Sequence, residues 1–251
     1  MSNLSDIGFP VSGEHDVNQV IMDILPHLEE VPCLPHGYYF RFLDESGAQI
    51  YLQTNAAKEI IGFNPAFDGE SQRTVELNED IERDTSDLDG AFRCTNKFGG
   101  EETANYPLVF DSPDFRVHST ETLPVERSVG ITAFASNDLE IFDTVEEFRA
   151  KSGGELDLAD KSFIPSGLYT FSEEGEPVEQ EPPQAHAILT GRITECQKRR
   201  NSFTGNEFYY FVVESFGGFV DIVADPKLIQ SEPKIGGVVK GSFWLSGKVL
   251  S

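Results

Sequence analysis

In EHDVNQVIMDILPHLEE, residues 14–30, apolar positions recur at steps of three and four. Val17, Val20, Ile21, Ile24, Leu25 and Leu28 therefore fall on one side of a helix. Pro26 kinks or ends that helix, and Glu29 and Glu30 are expected at its carboxyl end. The period then shortens. GYYFRFLDESGAQIYLQT, residues 37–54, places two apolar-rich segments around DESG and predicts a hairpin. PLVFDSP at 107–113 and VGITAFAS at 129–136 read as strands, and LEIF at 139–142 extends the second or answers it through an Asn137-Asp138 turn. DTVEEFRAKSGG predicts a second helix, with Asp143 as its cap, Glu146 as the reciprocal partner, Val145 and Phe148 inward and Gly153 at its end. KSFIPSGLYTF predicts a further strand, interrupted or placed at an edge by Pro165.

From His186 the pattern is that of strands alone. HAILTGRITEC, EFYYFVVES, FVDIVAD and GGVVKGSFWLSGKVL are separated by turn residues, TGN at 204–206 and GG at 217–218. Asp225 followed by Pro226 suits a short helical insertion before the last strand. Both faces of Phe208–Val213 are apolar, which suits a strand covered on two sides. Four strands with such an insertion describe a barrel or half-barrel, for which the five-stranded oligonucleotide/oligosaccharide-binding (OB) barrel is one candidate. Its fifth strand must then come from a long bent strand or from upstream. The fold class expected is α+β: a mixed antiparallel sheet with few helices, followed by a small β-rich, OB-like unit. A YYF strand, an ES pair and a second strand occur both at 37–54 and at 207–225, which raises the question of a duplication.

Charge divides the chain in the same place. The formal net charge is -24. Residues 1–185 hold 11 basic and 37 acidic groups, whereas residues 186–251 hold 8 and 6, so nearly all the excess lies upstream. SEEGEPVEQEPPQA, 172–185, is rich in Glu and Pro and reads as a linker between an acidic domain, 1–171, and a β-rich domain, 186–251. Residues 68–90 carry nine acidic and two basic groups with few large apolar residues, and read as a long loop or a polar strand-helix passage. Within them Asp87, Asp89 and Gly90 match part of a calcium loop, but Thr85 and Asn96 stand where its two anchoring ligands belong, so a solvated acidic loop is the reading adopted.

Catalytic signatures are scarce. His15, His27, His36, His118 and His186 form no HExxH, and neither a GxSxG elbow nor a phosphate-binding glycine loop occurs. Cys33, Cys94 and Cys196 lack metal-ligand spacing and suit a reducing, cytoplasmic setting. No cofactor is expected. The one local group joining a possible base to carboxylates is His118 with Asp114 and Glu121. MSNLSDIGFP lacks the pattern of a secretory signal, and no apolar run has the length of a membrane helix.

Lys198, Arg199 and Arg200, the only three consecutive basic residues, are expected in an exposed loop around 198–206, their charge offsetting the acidic body. Phe203, Phe208, Tyr210, Phe219 and Trp244 are the aromatic residues that a nucleic-acid reading would use for stacking. Net repulsion of phosphates makes that reading unfavourable. The function expected is a non-enzymatic accessory or protein-binding protein that turns an acidic surface to a basic partner. Glu76, Glu79, Asp80, Glu82, Asp84, Asp87 and Asp89, with Lys198, Arg199 and Arg200, are the candidate interaction residues. The alternatives are an enzyme whose site is assembled from distant segments, and a nucleic-acid module in the C-terminal β unit.

Overall fold

The computed structural model describes residues 3–11, 13–97, 105–119, 122–151, 158–168 and 182–250. Strands account for 51% of the described residues, so the mixed class leans strongly towards β. Among the described residues no helix is long and apolar enough to cross a membrane.

Helix α1, Glu14–Ile24, ends at a 3-10 turn, Leu25–His27, which contains Pro26. Its row Val17, Val20, Ile21 and Ile24 packs into a core shared with the C-terminal strands. The chain then enters β1, Glu29–Cys33, so Glu29 and Glu30 lie on a strand rather than at a helix end. There each meets a cation: Glu29 pairs with Arg41 at 2.7 Å and Glu30 with Lys58 at 2.6 Å. Strands β2, Gly37–Leu43, and β3, Ala48–Thr54, form the expected hairpin, and β4, Ile60–Phe67, completes an antiparallel sheet in the order β1-β2-β3-β4. Gly47, at φ +94°, supplies the left-handed position of the hairpin turn.

The acidic stretch 68–90 is not one long loop. Most of it is β5, Arg73–Glu82. Arg73, Val75 and Leu77 are buried while Thr74 and Glu76 face outward, and a bulge at Asn78 re-phases the strand so that Ile81 is buried too. Three well-spaced apolar side chains suffice for the inner row of a strand. β6, Gly90–Lys97, and β7, Pro107–Asp111, extend the meander, and after the short helix α2, Phe115–His118, the chain returns in β8, Val125–Ala135. β9, Glu140–Phe142, precedes α3, Val145–Lys151. The α3 cap lies one residue beyond the expected one. Thr144 Oγ1 accepts from the Glu147 amide at 3.1 Å, and Glu147 Oε2 from the Asp143 amide at 2.8 Å. Gly153 lies outside the described residues. β10, Ser162–Pro165, is an edge strand, as Pro165 requires.

Residues 172–181 of the Glu/Pro-rich stretch also lie outside the described residues. Beyond it come β11, His186–Arg200, β12, Glu207–Ser215, β13, Gly218–Ala224, a 3-10 turn at Pro226–Leu228 capped by Asp225, and β14, Val238–Val249. Pairing links strands from both sides of that stretch. β11, β12, β13, β8 and β14 close a ring: β11–β12–β13 is an antiparallel meander, β13–β8 is parallel, and β8–β14 and β14–β11 are antiparallel. The neighbour that the four C-terminal strands lack is thus β8, from upstream.

The same description fits a second ring. β5–β6–β7 is an antiparallel meander, β7–β14 a parallel bridge, and β14–β8 and β8–β5 are antiparallel. Strand one of each set is bulged, at Asn78 and Thr194, and a helical piece separates strands three and four in both. The set β5 to β8 therefore repeats as β11 to β14, each lending its fourth strand to the other's ring. The YYF hairpins are not the repeat: β2–β3 belongs to the four-stranded sheet, and the counterpart of β12–β13 is β6–β7.

Two large cores follow. Tyr209, Phe211 and Val213 point into the core shared by the two rings, while Phe208, Tyr210 and Val212 point the other way, into the core made with α1 and the four-stranded sheet. β12 is thus the doubly covered strand its sequence predicts. Each such phenylalanine contributes roughly 2–3 kcal/mol by burial.

Candidate functional site

Lys198, Arg199 and Arg200 belong to the end of β11, and the loop begins only at Asn201. The expected exposed basic loop is therefore corrected: pairing continues to Arg200 opposite Glu207 because each side chain finds a partner. Lys198 Nζ lies 2.9 Å from Glu207 and over the Tyr209 ring. Arg200 donates to the Gly205 carbonyl at 2.8 Å. Arg199 reaches across to the acidic part of the chain, donating to Glu70 at 2.8 Å and to the Ser46 carbonyl at 3.2 Å, with its guanidinium 3.8 Å from the Tyr210 ring centre. Replacing Arg199 by Ser is expected to cost about 1–2 kcal/mol, and replacing Lys198 or Arg200 less than about 0.5, because only Arg199 combines ring stacking with a partly shielded pair. Urea unfolding of the three single variants checks this ranking, and equal effects would contradict it.

Residues 201–206 are latched from several sides. Asn201 Nδ2 donates to the Ile7 carbonyl at 3.0 Å and Thr204 Oγ1 to the Gly8 carbonyl at 2.6 Å. The Asp44 carboxylate, at the β2–β3 turn, accepts from the amides of Ser46, Ser202 and Phe203 and from both serine hydroxyls. Phe203 packs edge-on against Phe42 at 5.1 Å and His27 at 5.5 Å. Phe208 and Tyr210 are wholly buried, and Trp244 donates to Asp111 at 2.5 Å and packs on Phe134. Of the five candidate stacking residues, only Phe219 is exposed without one of these engagements, at 47%.

The predicted acidic residues separate into two groups. On β5, Glu76 pairs with Lys97 at 3.4 Å, Glu79 with Arg93 at 3.7 Å and Glu82 with Arg116 at 2.8 Å, while Asp80 is half-buried. In the 83–89 connection Asp89 accepts from Asn64 and Thr85, and Asp84 and Asp87 are exposed. β5 and β11 are not neighbours in the sheet, so no strand pair joins these carboxylates to Lys198–Arg200. Among the described residues no group of three or more His, Cys, Asp or Glu side chains could hold a metal ion. His118 Nε2 stands 3.6 Å from Asp114, and Glu121 is outside the described residues. Burial pushes the thiols of Cys33, Cys94 and Cys196 above their usual range, opposite to the shift a nucleophilic cysteine needs.

One feature was missed by the sequence reading. Asp6, in the 3-10 turn Ser5–Ile7, is only 3% exposed. Its Oδ1 accepts from the Asp225 amide at 2.8 Å. Burial, reinforced by the Asp225 carboxylate and opposed by that hydrogen bond, pushes its carboxyl up to about 8. It borders a cleft of about 470 Å³ between the N-terminal segment, residues 135–137 and the Asp225–Leu228 turn. Nothing local in SDI distinguishes it from a surface acid. No family model, no curated protein and no solved structure matches the chain.

Proposed function

We propose that the chain is a non-enzymatic binding protein that turns its carboxylate excess towards a basic protein partner, on a scaffold of two interlocked OB-like barrels. The observation that carries this reading is the use of the cations. At least fifteen of the 19 lysines and arginines stand within ion-pair distance of a carboxylate of the same chain. Arg73 and Arg200 donate to neutral oxygens. The charge of -24 is thus left to carboxylates that the chain's own cations do not match, and such a surface attracts basic partners and raises their encounter rate. The engagement of Lys198–Arg200 and the burial of Phe208 and Tyr210 favour this reading over nucleic-acid binding through the C-terminal strands. Two ring-like pairings with the strand order and direction of an OB barrel support the scaffold, and the three free cysteines fit a cytoplasmic setting.

Affinity capture at low ionic strength is expected to retain proteins of basic isoelectric point, released progressively as salt is raised, since exposed charge interactions are screened over about 10 Å at 0.1 M. Retention that salt does not weaken, or no retained protein in repeated captures, contradicts the proposal.

A further inference from the structure

We propose that the cleft between the N-terminal segment, residues 135–137 and the Asp225–Leu228 turn is a binding site for an alkylguanidinium or alkylammonium group, held between Asp6 and Asp225. This goes beyond the reading of the surface and does not depend on it. The cleft, of about 470 Å³, has the size of a small-ligand site. Asp6 reaches its wall as a nearly fully buried side chain with one oxygen engaged by the Asp225 amide, and among the described residues no donor meets the other. Asn3, Ser5, Ser136 and Asn137 add neutral acceptors around the carboxyl groups.

The charged groups facing Asp6 are few. Asp225 lies beside it, its Oδ1 capping the 226–228 turn through the Lys227 amide at 2.9 Å, and Lys227 is exposed at the rim. Among the described residues, 3–11 and 135–137 contribute no other charge to the lining, and Glu207, in the adjoining shallow cleft, is paired with Lys198. Burial and Asp225 keep the Asp6 carboxyl neutral up to about pH 8. A cation entering between the two carboxyl groups reverses that balance. The Asp6 O–H bond breaks, its proton passes to solvent, and the carboxylate left behind pairs with the bound cation.

The test is calorimetric titration of the chain with butylguanidinium at pH 7 in two buffers of different ionisation enthalpy, with neutral butylurea as control. Binding of butylguanidinium alone, with nearly one proton released and affinity rising up to about tenfold per pH unit between pH 6 and 8, is expected. Asp6→Asn should abolish proton release and weaken binding about tenfold or more. Asp225→Asn, which keeps the cap and leaves Asp6 in place, should weaken binding with the fold intact, and Lys227→Gln should strengthen it or leave it unchanged. A Gly-Arg-Gly peptide run in parallel separates the sources: tighter binding of the peptide assigns the site to a protein side chain, tighter binding of the free compound to a small ligand. No binding of either at about 10 mM, or binding without proton release and indifferent to both Asp variants, overturns the proposal.

Discussion

Replacing Asp6 by Asn is expected to stabilise the protein by about 2–4 kcal/mol at pH 7, an effect opposite in sign to that of most substitutions at buried positions. In the unfolded chain the carboxyl ionises near its ordinary value of 3.8, whereas in the folded chain it stays protonated up to about 8. Between those limits the folded state holds the extra proton, so the contribution of Asp6 to stability falls as pH rises from about 4 to about 8 and is constant above. Asn removes the titration and can still accept the Asp225 amide through its Oδ1. The difference between variant and wild type should be near zero at pH 4, grow to pH 8 and then level off. Denaturant unfolding at pH 4, 6, 7 and 9 measures it, and a difference that stays flat or declines with pH would show that Asp6 is ionised in the fold. A carboxyl kept at such a cost is what a binding site held at the expense of stability looks like.

Asp44→Ala is expected to act in the opposite direction, costing about 3 kcal/mol at pH 7, because up to five donors from the 46 and 202–203 backbone and side chains lose their acceptor at once. Asp44→Asn, which keeps one acceptor oxygen, should cost about half as much. Burial pushes the Asp44 carboxyl up, but the hydrogen bonds from Ser202 and Ser46 outweigh it and hold the group below its usual range. A depressed folded value means that the stabilisation is complete above about pH 4 and is lost as pH falls through the folded value. The penalty for Asp44→Ala should therefore shrink in acid, where that for wild-type Asp6 also disappears. Loss of the latch should free Phe203 from Phe42 and His27 and raise hydrogen exchange at 201–206 before the rings are affected. Uniform loss of protection across β12 and β13 would contradict a local role.

The elements legible in the sequence are those whose partners lie close along the chain. The β2–β3 hairpin, the TGN turn with Gly205 at φ +76°, the Gly217–Gly218 turn at φ +78° and +129°, and the two-sided β12 follow from local pattern and turn chemistry. The capping residues of α3 slipped by one because Asp143 and Thr144 both suit a cap and Glu146 and Glu147 both suit its partner. The remainder depends on distant pairing. β5 has too few apolar residues to declare itself, and its inner row has meaning only against β6 and β8. The exchange of β8 and β14 between the rings joins positions more than a hundred residues apart, as in Thr132 opposite Ser246, which no local periodicity records. The two repeats share strand order, a bulge and a helical insertion, none of which demands similar side chains, whereas the YYF resemblance joins hairpins that lie in different sheets. Asp6 is anomalous only because the fold packs its 3-10 turn against β12 and β13 and brings the Asp225 amide to it.

One pair of titrations separates a surface built to receive positive charge, with its aromatic strands built into the core, from a nucleic-acid platform. A captured basic partner and a single-stranded oligonucleotide are measured against the same chain at about 50 mM and 200 mM salt, a range over which a purely electrostatic complex loses orders of magnitude in affinity. Saturable partner binding that weakens steeply with salt is expected, with no oligonucleotide binding at micromolar concentration. Micromolar oligonucleotide binding that is lost when Lys198, Arg199 and Arg200 are replaced together by Ser, in a chain that still folds, would contradict it.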